Sequence, residues 1–492
     1  MLDRIREYMD AHVEEMVADA CALIAINSEK MDAKPGMPFG EGNAQVFEEA
    51  GKILTRCGFS VKNYENYVLT ADLNDGPACL DILAHLDVVP AGEGWTVTEP
   101  FVPVVQDGLL YGRGSADDKG PAVAALYAMR AVKELGIPVK GNCRLILGGD
   151  EECGSSDIRY YYSKEKQAPM TFSPDADFPL INIEKGGLHL RFTAEASGQA
   201  KRQNGSGQNV PDKTGEVCLL EIQAGTKINV VPGKARARVQ GIAVERLQQI
   251  AAEVTAQTGV VFEFTPQNGD VNDGGVNGNT GETAILAIGA AAHAASPHMG
   301  NNALTGLLTF LAAVPFDSER VSKVLTEVNS LYPHGDWNGK ALGVDHRDDI
   351  SGELTLSLNL FSYDGKEFAG VFDCRAPICA NDANTTDVVR AKMMEAGFAV
   401  SEGKMFAPHY VPEESEFVQT LLGCYEAVTG KRERPLAIGG GTYVHHIENG
   451  VAFGCAEPGV DNRMHGADEF MSVEQMKQSA VIFAYAIAQL CG

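Results

Sequence analysis

From Cys79 to Ile183 short apolar runs alternate with a helical pattern: CLDILAHLDVV, then PAVAALYAMRAVKELG, then NCRLILGGDEE. That rhythm restricts the segment to an α/β sheet, in which brief Leu/Ile/Val-rich runs form strands and the longer amphipathic stretch crosses between them. Pro121 near the start of the predicted helix and Gly136 just past its end are the boundary residues such a helix needs. Beyond about Glu184 the character changes. Strands such as LHLRFTAEA and EVCLLEIQAG are separated by SGQAKRQNGSGQNVPDKTG and PQNGDVNDGGVNGNTGET, which read as loops.

From Leu188 to about Tyr410 strands and helices repeat roughly twice, closing with GVFDCRAP, the helix NTTDVVRAKMMEAG and a strand near FAVSEGKMFAPHY. This span reads as an inserted domain. The predicted organisation is a first domain begun by residues 1–186, an insertion over 187–410, and a return over 411–492 that starts with the helix EESEFVQTLLGCYEAVTG. A chain of 492 residues with 45% hydrophobic content can supply each of two or three domains with its own core.

Composition excludes several classes of function. The chain carries a net charge of −26 with 66 acidic residues spread along it, so a polyanion is repelled and nucleic acid is not an expected partner. The amino-terminal stretch mixes charged residues among its apolar ones, unlike an export signal, and apolar runs such as VIFAYAIAQL fall short of the roughly 20 residues of a membrane helix. No membrane association is expected. Eleven scattered cysteines without a CxxC pair suit a reducing, cytoplasmic setting. Cys153 is read as a buried structural thiol rather than a nucleophile, and the sequons at Asn204 and Asn384 as coincidental.

Chemistry concentrates in five signatures. In AHLDVVP, His85 and Asp87 are two apart where an apolar strand ends, so they share a face; one can bind a metal while the other steers it. GRGSADDKG offers Asp117 as a ligand beside Asp118, although both also fit a helix start. GGDEE brings Glu151 and Glu152 together after a buried strand, where like charges need cations or a shifted pKa. Asp175 and Asp177 lie in the Pro-bracketed FSPDADFP, and His465 in RMHGADEF. Each of the last two is ambiguous alone. Together, His85, Asp117, Glu152, Asp175 and His465 mix nitrogen and oxygen donors suited to two divalent ions such as zinc, manganese or cobalt.

HLDVVP, GRGxxDxKG, GGDEE, the Asp loop and MHGADE, in this order, resemble the co-catalytic zinc peptidases that include aminoacylases, carnosinases and, most similar in pattern, PepV-type bacterial dipeptidases. The resemblance runs through essentially the whole chain. It implies an α/β catalytic domain with a mixed sheet, carrying an inserted α+β lid made of two ferredoxin-like halves. It implies that Asp117 bridges both ions, that His85 and Asp175 complete one site, and that Glu152 and His465 complete the other. Glu151 becomes the general base and Asp87 the partner of His85. Two such ions, most often Zn2+ but also Mn2+ or Co2+, lower the pKa of a water and polarise a peptide carbonyl. From the insertion, His293 in AAHAASP is implied to donate to the oxyanion, while Asn229 in KINVVPG and Arg375 in DCRAP are implied to hold a substrate carboxylate. Gly440 and Thr442 in GGGTYV are further substrate-binding candidates. His298, His445 and His446 read as bystanders. The implied activity is hydrolysis of dipeptides with free termini, by a monomer whose doubled lid replaces a neighbouring subunit. The rivals are an N-acyl amino-acid deacylase and a catalytically silent peptide-binding protein.

Overall fold

The computed structural model describes residues 1–196, 216–267 and 281–492; the polar stretch 197–215 with Asn204, and most of 266–283, lie outside the described residues. The chain divides into two compact units, Met1–Glu184 with His409–Gly492, and Lys185–Pro408.

In the first unit, nine strands form one mixed sheet among the described residues. Its order is Val61–Tyr64, Val68–Asp72, Asn142–Gly148, Ala78–His85, Met170–Ser173, Gly450–Ala452, Ile181–Glu184 and His409–Tyr410, with Leu436–Ile438 also pairing to Ile181–Glu184. The centre is parallel: Ala78–His85 lies between Asn142–Gly148 and Met170–Ser173, and Met170–Ser173 pairs onward with Gly450–Ala452. Strands buried on both faces are what a helix-covered parallel centre requires. Accordingly Leu80, Ile82 and Ala84 enter a large core with residues of the helices Leu2–Ile24, Glu41–Arg56, Lys119–Glu134, Glu416–Thr429 and Val473–Leu490. Leu83, on the opposite face, packs with Ile146, Tyr161 and Tyr443.

The helix predicted around Pro121 spans Lys119–Glu134, two residues earlier than the proline implied, and Gly136 follows its end at φ 61°. Proline is tolerated there because the first turn has no intrahelical use for its missing N–H. Lys119 is buried. Its ammonium donates to Leu23 O (3.0 Å) and Ile26 O (2.8 Å), tying off carbonyls at the end of Leu2–Ile24, and burial lowers its pKa to about 7.

The second unit is α+β. Nine strands among its described residues form one antiparallel sheet, ordered Val261–Gln267, Glu282–Ile288, Lys234–Gln240, Cys218–Ala224, Thr355–Tyr363, Glu367–Ala376, Arg191–Glu195 and Ala399–Val400, with Gly186–Leu188 added on Glu367–Ala376. In Lys234–Gln240 the buried Ala235, Ala237 and Val239 alternate with exposed Lys234, Arg236 and Arg238, so one face meets the core and the other meets solvent. Residues of the helices Val244–Thr258, Ala303–Ala312, Glu319–Leu331 and Asp387–Glu395 fill that core. Asn302 starts Ala303–Ala312 by accepting from Leu304 N and Thr305 N. No helix among the described residues is long and apolar enough to cross a membrane.

Candidate metal centre

Three signatures lie at the carboxyl ends of the parallel strands, where open α/β sheets place their sites. His85 ends Ala78–His85, Glu151 and Glu152 open a short turn after Asn142–Gly148, and Asp175 follows Met170–Ser173. Asp117 immediately precedes Lys119–Glu134 across the residue Asp118. His465 comes from the loop before Phe470–Ser472, with φ 62° in the left-handed region that few non-glycine residues adopt.

The structure brings these side chains together. His85 Nε2 lies 3.0 Å from Asp117 Oδ1 and 3.5 Å from Asp175 Oδ2. The other oxygen of Asp117 lies 2.9 Å from His465 Nε2, which is 3.2 Å from Glu152 Oε1. Asp117 therefore offers one oxygen to each histidine. The ligand atoms of His85, Asp117 and Glu152, and separately of His85, Glu151 and Asp175, fall within 4.8 Å of one another.

The donor set fits two cations on two observations. His85 Nε2 and Glu152 Oε1 are buried without a hydrogen-bond partner, so a lone pair of each faces the cluster unused. Four carboxylates also crowd together, and burial pushes up the pKa of Glu151, of Glu152 and of Asp175, the last to about 7, with neighbouring carboxylates adding to the effect. Burial opposes the charge on His85, yet Asp117, Asp175 and Asp87 hold its pKa well above the usual histidine value. Asp117 and Glu152 raise His465 to about 10. Divalent cations supply the positive charge that these groups otherwise draw from protons.

Around the ligands stands a layer of buried acceptors. Asp87, 1% exposed, takes Glu151 N on one oxygen (3.2 Å) and Glu152 N on the other (3.1 Å), while Oδ1 also lies 3.4 Å from His85 Nδ1. It thus positions the glutamate pair as well as the imidazole. Asp118 is not a solvated helix cap: it is fully buried, its side chain makes no cap bond, and its Oδ2 accepts from His85 N at 3.0 Å. Glu469, which sequence reasoning passed over, accepts from Gly114 N, Ala116 N and Asp117 N at 2.9–3.2 Å and pairs with the buried Arg113 at 2.5 Å. It holds the loop that carries Asp117. The only signal for it was the acidic residue closing MHGADE.

The remaining candidates are distributed as follows. Thr442 N and Oγ1 both donate to Glu184, at 3.0 and 2.8 Å, and His445 Nδ1 lies 3.0 Å from the same carboxylate. Glu184, also missed, ends the strand Ile181–Glu184 and anchors the loop that contains Gly440. His445 thus shares a half-buried polar network with Thr442 and Glu184. His446 shares that turn, with its ring 5.1 Å from that of His445. Cys153 is exposed, contrary to the buried thiol expected, because the turn at Glu151–Cys153 leaves the sheet. Asp177 is exposed on Ala176–Asp177. Within the second unit, Asn229 and His293 are close: Val230 pairs with His293, and Ala294 N donates to Asn229 O at 2.9 Å. Arg375 gives both Nε (2.7 Å) and an Nη (2.8 Å) to Asp373, so its fork already grips a carboxylate. The ring of His298 lies 5.2 Å from that of Trp337.

The model of peptidase family M20/M25/M40 matches residues 82–489. The chain belongs to this family. It is 33% identical over 490 residues to the Beta-Ala-Xaa dipeptidase of Lactobacillus delbrueckii subsp. lactis, covering 99% of this chain and 98% of that one. Among solved structures, human carnosine dipeptidase 1 superposes with a TM-score of 0.59 at 17% identity, covering 100% of this chain and 98% of that one. Aminoacylhistidine dipeptidase from Vibrio alginolyticus does so with a TM-score of 0.54 at 14% identity, covering 96% and 95%. These two likenesses concern the fold. The M20 chain thus carries a candidate dinuclear metal site on an α/β catalytic unit.

Proposed function

We propose that this M20 hydrolase is a metal-dependent dipeptidase that cleaves the peptide bond of short peptides with free termini. The observation that carries the reading is Asp117 set between His85 and His465, with Glu151 beside the same cluster. Full-length similarity to a Beta-Ala-Xaa dipeptidase supports a dipeptide rather than an acylated substrate.

Asp117 would be shared by two ions, with His85 and Asp175 on one and Glu152 and His465 on the other. When bound, such ions acidify a water and polarise a peptide carbonyl. Glu151 would take the proton of the attacking water and pass it to the departing amine. A carboxylate held beside the cluster can take up and release a proton in this way. Asp87 keeps the backbone of Glu151 and the ring of His85 in place while this happens. His293 is assigned to the oxyanion, and Asn229 and Arg375 to the substrate carboxylate. Gly440 and Thr442 are assigned to substrate binding through the loop that Glu184 anchors. The proposed domain limits are 1–186, 187–410 and 411–492, with the insertion as lid. Zinc is the proposed metal, the monomer the proposed state and the cytoplasm the proposed location, the last resting on eleven thiols in no disulfide-like pattern.

The test is a panel of free dipeptides and their N-acetylated forms, assayed on metal-stripped protein restored separately with zinc, manganese and cobalt. Cleavage of free dipeptides only after metal return supports the proposal. Preference for the acetylated forms makes the protein a deacylase, and binding without cleavage makes it a peptide-binding protein.

A further inference from the structure

At the far end of the strand that terminates in His85, two cysteines distant in sequence meet. Cys79 Sγ lies 3.0 Å from Cys491 Sγ, although 412 positions separate them. Three backbone features enforce the approach. The parallel register between Ala78–His85 and Asn142–Gly148 sets Ala78 opposite Asn142 and Leu80 opposite Cys143, leaving Cys79 as an extra residue without a counterpart. A bulge of this kind re-aims one side chain out of the regular pleat. Cys491, just past the helix Val473–Leu490, is held by its carbonyl, which accepts from Lys140 N at 2.7 Å and Gly141 N at 3.0 Å. Residue 141 must be glycine for the thiol to fit, since a Cβ there would lie 2.3 Å from Cys79 Sγ.

We propose that Cys79 and Cys491 form a reversible disulfide in response to hydrogen peroxide, fastening the segment behind Val473–Leu490 to the base of the His85 strand. The two sulfurs need to close by only about 1 Å to reach the roughly 2.05 Å of an S–S bond. Cys79 is the attacking group. It is the more accessible of the two, and its hydrogen bond with Cys491 lowers its pKa while that same bond, with burial, raises that of Cys491. The Cys79 thiolate attacks one peroxide oxygen; the S–O bond forms, the O–O bond breaks, and hydroxide leaves to be protonated to water. Cys491 then loses its proton and attacks the Cys79 sulfur; the S–S bond forms, the S–O bond breaks, and a second water leaves. Two thiols are oxidised by two electrons and one peroxide is reduced to two waters. An external thiol reverses the bond by exchange. The bond would lie about 20 Å along the strand from His85, so it fastens the fold without entering the metal centre.

The experiment treats the full chain with equimolar hydrogen peroxide, blocks remaining thiols with iodoacetamide, and maps the digested peptides with and without dithiothreitol. The expected result is a Cys79–Cys491 linked peptide that disappears on reduction, and a melting temperature raised by roughly 5 °C in the wild type. In Cys79→Ser the linked peptide and the rise are both absent. A Cys153→Ser/Cys379→Ser background, lacking the two exposed thiols, should still form the link. Recovery of Cys79 and Cys491 as separately alkylated or over-oxidised peptides in that background, or their linkage to other cysteines, overturns the proposal.

Discussion

Replacing Asp87 with asparagine isolates the layer behind the ligands. The wild-type carboxylate is 1% exposed and satisfies two N–H groups, one per oxygen, at 3.2 and 3.1 Å. Asparagine keeps the volume but offers one oxygen, so its amide NH2 must face either Glu151 N or Glu152 N, leaving one half-buried donor unpaired. Such an unpaired donor costs about 1–3 kcal/mol. The lost charge also weakens the 3.4 Å contact with His85 Nδ1. Both effects displace the ligands rather than the substrate. The expected outcome of Asp87→Asn is therefore a fall of about 10–100-fold in metal affinity and kcat, with KM nearly unchanged. Metal affinity is read by chelator competition, and kcat and KM by dipeptide hydrolysis at saturating zinc. Affinity and kcat both within twofold of wild type would show that the Asp87 carboxylate does not position the cluster, and so would a change confined to KM.

Three further outcomes follow from the same geometry. Glu151→Gln should retain its metal by elemental analysis yet lose about 10²–10⁴-fold in kcat; an active variant removes the base. Glu469→Ala leaves the buried Arg113 guanidinium without its carboxylate, and should destabilise the protein by about 3–5 kcal/mol in denaturant unfolding; a midpoint equal to wild type contradicts its role in holding the Asp117 loop. In metal-free protein Asp175 has a pKa raised to about 7, above its unfolded value of about 3.9. Its contribution to stability is thus complete below the unfolded pKa and lost as pH rises through about 7. Melting of the metal-free protein should fall across that window, whereas zinc should reverse the trend, because metal binding expels the proton.

Much of the candidate site was legible because the side chains that meet in it belong to local signatures. His85 at the end of an apolar strand, and Glu151 after another, advertise strand ends where side chains leave the sheet together. The α/β rhythm between Cys79 and Ile183 likewise reflects short-range patterning, and the structure gives it as strand, helix and strand. What escaped depends on distance. Glu184 meets Thr442 across 258 positions, and Glu469 meets Ala116 N across 353, so neither acceptor has a neighbour in sequence that discloses its role. Asp118 looked like a helix cap because its position is one; only the approach of the strand end at His85 supplies the better donor. The exposure of Cys153 follows from the direction of a single turn, which apolar periodicity does not encode.

The most direct measurement is an anomalous-scattering map at the zinc edge from crystals grown with zinc. Two peaks about 3.5–4 Å apart are expected, with Asp117 touching both, His85 and Asp175 on one, and Glu152 and His465 on the other. A single peak, or two peaks of which only one contacts Asp117, would contradict that arrangement.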